Sequence, residues 1–225
     1  MRAFDFLKIF GAIVFLHLAT IYRQDDGVLH LLSKPLIITS LLVYLVSKIR
    51  ENKLQGLNQL AWALFFSLLG DIALMLEGEM YFKLGMGAFG LGHVFYILWY
   101  LKTKPKLGLF QSLGAIAFAI LGLWSLLSLV SLPYEFEIPI YIYFVLLSVH
   151  LFLAWNAPGK SFNNKLAATG IAVFIFSDWF LAWDKFGEAL PITWLNGMIV
   201  MLSYSAAQAL IIMGVLKNCL NKFDL

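Results

Sequence analysis

The chain has 225 residues, of which 61% are hydrophobic, 16% aromatic and only 13% charged. Soluble domains average about 45–50% apolar and about 25% charged residues. Together with a mean hydropathy of +0.85, this excludes a soluble enzyme, a disordered chain, a coiled coil and a collagen. The single cysteine, Cys219, excludes a disulfide framework and any multi-cysteine metal or iron–sulfur site. A formal charge of +3, with sixteen basic residues scattered between apolar runs, gives no nucleic-acid footprint. The composition is that of a polytopic, all-α membrane protein.

A helix needs about 20 mostly apolar residues to cross a hydrocarbon core. Eight runs qualify, over 4–22, 32–49, 57–76, 80–101, 108–130, 138–156, 164–186 and 190–216. The breaks between them are short and carry charges or turn residues, as in Gln24-Asp25-Asp26-Gly27, Lys102-Thr103-Lys104-Pro105-Lys106 and Ala157-Pro158-Gly159-Lys160. No stretch is left for a soluble domain, so 1–225 reads as a single transmembrane domain.

Basic loops tend to stay on the cytoplasmic side. With the N-terminus inside, the inner segments hold Arg2, Lys8, Lys48, Arg50, Lys53, Lys102, Lys104, Lys106, Lys160, Lys165, Lys217 and Lys222, twelve of the sixteen basic residues. Arg23, Lys34, Lys83 and Lys185 stay on the outer side, where Asp25, Asp26, Glu77, Glu79, Glu135, Glu137 and Glu188 also gather. Both termini then come out cytoplasmic, which demands an even number of spans and supports eight. The first span has a short charged start and no small-residue cleavage site, which reads as an anchor and not a removed signal peptide.

An ionisable side chain at the centre of a membrane helix costs about 2.5–3.5 kcal/mol on insertion scales, which makes each one a functional candidate. Asp71 and Asp178 stand well inside apolar runs, each just after a small residue, and are 107 residues apart. That echo would suit a four-plus-four duplication, although nothing else in the two halves aligns well. His93 lies deep in span four, with Tyr96 further along the same face. Tyr204 and Gln208 are four apart on span eight and share a face. Lys34-Pro35 opens span two near the outer surface. At about 1.5 Å per residue, Asp71 is about five residues from the outer end of its span, Asp178 about eight and His93 about twelve, with Lys34 the shallowest. If these helices are neighbours, the set forms a cleft descending from the outer leaflet.

Each residue also has a plainer reading. A buried aspartate can be a structural clip to a hydroxyl or lysine, and His93 can be a core residue bonded to a carbonyl. Tyr204 and Gln208 can be interhelical glue. His17 and His150 read as structural, Lys185 as snorkelling or pairing with Asp184, and Gly85, Ala88 and Gly92 as permitting close helix packing.

Desolvation and a second carboxylate let one member of a buried pair stay protonated while the other is ionised. That is what general acid catalysis with electrostatic support needs. Hydrolysis of acetal-like or enol-ether bonds and aspartyl proteolysis both fit, and a proton-coupled lipid or small-molecule transporter would use the same residues as a relay. There is no Gly-x-Ser-x-Gly elbow, no His-Glu-x-x-His and no phosphate-cradling loop. An enzyme needs the two carboxyls within about 5–10 Å; a transporter usually has broken helices at mid-depth, and no span shows a paired Gly/Pro interruption there.

Five blocks in order carry a resemblance. They are Lys34-Pro35-Leu36; Gly70-Asp71 with Leu74; Gly85 through Phe89 with Gly92-His93 and Tyr96; Phe174 with Ser177-Asp178, Leu181-Ala182 and Lys185-Phe186; and Tyr204 with Ala207-Gln208 and Leu210-Ile211. In this order and spacing the chain resembles the YhhN family of eight-span membrane proteins, which includes the animal lysoplasmalogenases. It departs from the family pattern at Ser205, where a second tyrosine is expected, and at Lys185, where arginine is common. The resemblance implies hydrolysis of the vinyl-ether bond of a lysoplasmalogen to a fatty aldehyde and glycerophosphoethanolamine or glycerophosphocholine. It implies Asp71 and Asp178 as the catalytic pair and no metal or organic cofactor. Tyr96, Tyr204 and Gln208 would then position water and the glycerol hydroxyl, Lys34 would hold the phosphate as a point charge, and His93 would set the charge state of an aspartate. The expected partners are a lysophospholipid substrate and membrane lipid. The compact loops suit a bacterial inner membrane.

Overall fold

The computed structural model describes residues 2–25, 27–105, 108–158, 161–187 and 190–220. Among the orientation-setting charges, Asp26, Lys106, Lys160, Glu188 and Lys222 lie outside the described residues, as does Gly159. The described residues form eight α-helices and no strand: α1 (Ala3–Tyr22), α2 (Val28–Glu51), α3 (Asn58–Ala73), α4 (Glu79–Lys102), α5 (Leu109–Leu129), α6 (Tyr134–Trp155), α7 (Ser161–Phe186) and α8 (Thr193–Leu220). Seven of them are long and apolar enough to cross a membrane, all but α3. The chain is an integral, multi-pass membrane protein.

Helix α3 has 16 residues, about 24 Å at 1.5 Å per residue. It is shorter than the expected run 57–76 because the backbone turns at both ends. Gly56 (φ 79°) and Gly78 (φ 118°) take left-handed conformations that glycine adopts without the Cβ penalty. Beyond Ala73 the amides of Leu74, Met75 and Leu76 bond back to Gly70, Ile72 and Ala73. Asp71 therefore stands two residues from the end of its helix, closer than the expected five.

Helix α2 corrects the sequence reading in the other direction. Lys34-Pro35 does not open it. The helix starts at Val28 behind Gly27, whose amide donates to Asp25 Oδ1 at 2.9 Å, and Pro35 lies in its interior. Lys34 is therefore six residues inside the helix, about 9 Å along its axis, and is not the shallowest of the set. A proline is tolerated in a membrane helix because neighbouring groups re-satisfy the freed backbone. The early start also brings His30 into the helix, on the face that carries Ser33 and Lys34.

The chain divides into two compact units, residues 1–96 and 97–225. In the first, α2 packs on both α1 and α3. Its core holds Ile37, Ile38, Leu41 and Leu45 of α2 with Leu60 and Leu64 of α3, and Phe6 stacks on Tyr44 with centroids 4.0 Å apart. The N-terminal part of α4 lies against α3 through glycines. A Cβ on Gly92 would stand 3.0 Å from the Ala63 carbonyl oxygen, and one on Gly85 2.7 Å from the Leu74 side chain. The close-packing reading of Gly85 and Gly92 holds.

In the second unit, α7 packs on α8, α6 and α5. The α7–α8 contact is backbone-close. A Cβ on Gly170 would be 2.8 Å from both Ala207 O and Ile211 N, and one on Gly214 would be 2.7 Å from Ala167 N. Small residues at such crossings let membrane helices gain dispersion contacts that lipid tails cannot supply.

Candidate functional site

Polar side chains of α1, α2 and α3 meet at one end of the first unit. On α1, His17 and Thr20 are three apart; on α2, His30, Ser33 and Lys34 share a face. His17 Nδ1 lies 2.9 Å from Ser33 Oγ, and His30 Nδ1 lies 3.0 Å from Thr20 Oγ1. The two imidazole rings are 4.8 Å apart. Ser33 donates its proton to the His30 carbonyl at 3.1 Å, and Thr20 donates to the His17 carbonyl at 2.7 Å. Lys34, half-buried, lies within electrostatic reach of both His17 and the Asp71 carboxylate. Asp71 is buried, at 2% exposure. Of the expected site residues in this unit, Lys34 and Asp71 are thus within electrostatic reach of each other.

His93 and Tyr96 are also buried, on α4, with their rings tilted at 6.2 Å between centroids. His93 is fourteen residues from the start of α4 at Glu79 and follows Gly92, whose backbone lies against Ala63 and Ser67. That is a deeper level of α3 than Asp71.

In the second unit Asp178 is half-buried on α7, and its Oδ2 accepts a 2.5 Å hydrogen bond from the Tyr143 hydroxyl of α6. The preceding Ser177 donates to the Val200 carbonyl of α8 at 3.0 Å. Short polar side chains therefore fix this stretch of α7 to both neighbours. Tyr204 and Gln208 are buried on α8, with Tyr204 edge-on to Phe174 at 5.5 Å. Ser205, where the family pattern expects a tyrosine, bonds its own helix at Met201 O. Asp184 accepts from Asn196 of α8 at 2.6 Å. An open apolar cavity of about 940 Å³ runs along α5 and α7, with Ala172, Phe176 and Trp179 in its wall and Trp179 bonded to Ser125 across it. Asp178 turns to α6 instead.

Three participants are not among the expected residues. His30 fell outside the expected span 32–49 and so looked like loop. His17 looked structural because a lone histidine in an apolar run carries no partner information. Tyr143 was one aromatic among many. The available signal was spacing: His30, Ser33 and Lys34 at i, i+3 and i+4, facing His17 and Thr20 at i and i+3.

A model described as the YhhN family matches residues 29–215. The chain belongs to that family. It is 32% identical to the lysoplasmalogenase TMEM86B of Mus musculus over 158 residues, 69% of this chain and 62% of the relative. It is 31% identical to the lysoplasmalogenase TMEM86B of Homo sapiens over 164 residues, 72% of this chain and 65% of the relative. The chain thus spans less than two thirds of the length of these relatives. No solved structure matches it significantly.

Proposed function

We propose that this YhhN-family protein hydrolyses the vinyl-ether bond of lysoplasmalogens, with Asp71 and Asp178 as its working carboxylates. The products are a fatty aldehyde and glycerophosphoethanolamine or glycerophosphocholine. The observation that carries the reading is that both aspartates sit among apolar helices, Asp178 bonded to the Tyr143 hydroxyl and Asp71 within electrostatic reach of Lys34. The printed name of the relatives supplies the substrate class.

Enol-ether hydrolysis is limited by proton delivery to the vinyl carbon remote from oxygen. Asp178 is the acid in this proposal. The Tyr143 hydroxyl holds Oδ2 as an acceptor, and the transferable proton resides on Oδ1. Protonation of carbon leaves an oxocarbenium ion on the carbon bonded to the ether oxygen. Asp71, as carboxylate, stabilises that ion and takes a proton from the water that adds to it. The resulting hemiacetal collapses: its hydroxyl proton returns to Asp178, and Asp71 passes its proton to the departing glycerol oxygen. Acid and carboxylate are both restored, and one water is consumed.

The proposal includes α3 as an eighth span, lengthened by Leu57 and by the turn over 74–76. It also places both termini in the cytoplasm, in a bacterial inner membrane, as the lysine and arginine distribution favours. His93, Tyr96, Tyr204 and Gln208, all buried, are proposed to line the substrate's path.

The test compares purified protein on 1-alkenyl and 1-alkyl lysophosphatidylethanolamine. The account expects aldehyde from the first and no cleavage of the second, since a saturated ether has no carbon to protonate. Equal attack on both, or hydrolysis of an acyl ester alone, would overturn it.

A further inference from the structure

Helix α5 turns one continuous side toward the open cavity beside α7. Phe110, Gly114, Phe118, Gly122 and Ser125 line it, and residues three or four apart share a helix face. From Phe110 to Ser125 that side runs about 22 Å at 1.5 Å per residue. The α7 wall, from Ala168 to Trp179, runs about 16 Å. Both helices are long and apolar enough to cross a membrane, so the cavity lies at membrane depth. Its volume of about 940 Å³ falls in the range of clefts that bury a small-molecule ligand, about 300–1,000 Å³. A lipid chain reaches across one leaflet, about 15 Å of a hydrocarbon core about 30 Å thick. The α7 wall has that length.

The second observation is how the cavity ends. Ser125 donates its proton to the Gly122 carbonyl at 2.8 Å, and its oxygen accepts from Trp179 Nε1 at 3.0 Å. The polar atoms at this end are satisfied by one another, so an occupant needs no hydrogen-bonding group to meet them. One turn further along the same two helices stand Leu129, four residues after Ser125, and Trp183, four after Trp179. With Ser131 and Gly187 they line a separate, partly polar hollow of about 500 Å³. The surroundings therefore change from apolar to partly polar just beyond the level of Trp179, and Asp178 is the residue next to Trp179 on α7. A single-chain lipid changes character in the same way where chain meets headgroup. In an alkenyl lysolipid that junction is the vinyl ether.

We propose that the alkenyl chain of the lysolipid lies in the α5–α7 cavity, with its vinyl ether at the level of Asp178, and that Gly114 and Thr169 set the longest chain accepted. This deepens the function proposed above and rests on it for the identity of the lipid. Gly114 is eleven residues from Ser125 and Thr169 ten from Trp179, so the two stand on facing walls about 16 Å and 15 Å into the cavity. A Cβ on Gly114 would meet nothing within 4 Å, and Thr169 is exposed. Both positions can therefore take bulk without displacing a packed neighbour. Lipid tails are as apolar as the cavity wall, so burial alone does not draw the chain in. The cavity sorts chains by length instead.

The test uses ligands that cannot react. Binding of octadecyl and decyl ethers of lysophosphatidylethanolamine is measured by calorimetry on the intact protein in detergent, for wild type, Gly114→Leu, Thr169→Phe and Ala117→Leu. Ala117 is exposed on α5 and lies outside the cavity wall. Gly114→Leu and Thr169→Phe are each expected to bind the octadecyl lipid at least about 10-fold more weakly than wild type does, as for a methylene too many in an apolar pocket. The decyl lipid, which ends short of both residues, should bind as before, and Ala117→Leu should bind both lipids as wild type does. Octadecyl binding that is unchanged in both folded cavity variants, or that weakens in step with decyl binding, would overturn the proposal by placing the chain elsewhere. Displacement of the octadecyl lipid by an equal amount of diacyl phosphatidylethanolamine would overturn it too, by making the cavity a seat for bilayer lipid. If the length effect is found yet wild type releases no aldehyde from the alkenyl lipid, the hydrolase reading fails and the chain site stands.

Discussion

The Tyr143 hydroxyl donates to Asp178 Oδ2 at 2.5 Å, joining the middle of α6 to the middle of α7. A hydrogen bond to an uncharged carboxyl is worth about 0.5–1.5 kcal/mol, and to a carboxylate about 1.5–3 kcal/mol. The bond fixes which oxygen of Asp178 faces α6, and so where its transferable proton resides in the proposed mechanism.

Tyr143→Phe removes that bond and keeps the ring. We expect kcat for alkenyl lysolipid to fall about 10- to 100-fold with KM little changed, because the lost contact orients the acid rather than the lipid. Steady-state aldehyde release over a range of substrate checks it. A KM effect alone would mean that Tyr143 touches the lipid instead.

Lys34 lies within electrostatic reach of Asp71, near the end of α3, and removing either charge takes away an attraction that the other has. Lys34→Met is expected to lower thermal stability in detergent, and adding Asp71→Asn to recover most of the loss, since removing both charges of such a pair is milder than removing one. Activity should not return with the double variant. Melting curves of the two singles and the double give the coupling directly.

At Gly170 the backbones of α7 and α8 are in close approach, with Ala207 O and Ile211 N each 2.8 Å from where a Cβ would stand. Both obstacles are backbone, so neither can rotate away. Gly170→Ala should destabilise by about 1–3 kcal/mol, the usual range for overpacking. Gly114→Ala, with nothing within 4 Å of its Cβ, should be neutral or slightly stabilising through helix propensity. Thermal denaturation of the two variants side by side tests the contrast.

The proposed topology, eight spans with both ends inside, would place the Lys53 turn in the cytoplasm and the Gly78 turn outside. In a Cys219→Ser background, a cysteine at 78 should react with a membrane-impermeant maleimide on intact cells, and one at 53 only after permeabilisation. Labelling of both from one side would show that α3 does not cross.

The helices themselves were legible because a hydrocarbon solvent demands long apolar runs, and seven of the eight runs emerge as helices long enough to span. Their ends were less so. Pro35 suggested a helix start, yet α2 begins at Val28 because Val28, Leu29, Leu31 and Leu32 continue the apolar run while His30 and Ser33 find partners on α1. Gly78 ends the stretch after α3 by a left-handed turn that hydropathy does not register. The aspartates stood out in sequence because a charge inside a membrane helix is rare. His17, His30 and Tyr143 did not, because their roles depend on which helix lies opposite, and no single-helix pattern encodes that.

The most direct measurement is aldehyde release from 1-alkenyl lysophosphatidylethanolamine by wild type, Asp71→Asn and Asp178→Asn, each purified and shown to be folded. The account predicts turnover by wild type and a loss of at least about 100-fold in each variant, the scale on which positioned acids and bases contribute. Retention of most turnover by either asparagine variant would contradict it.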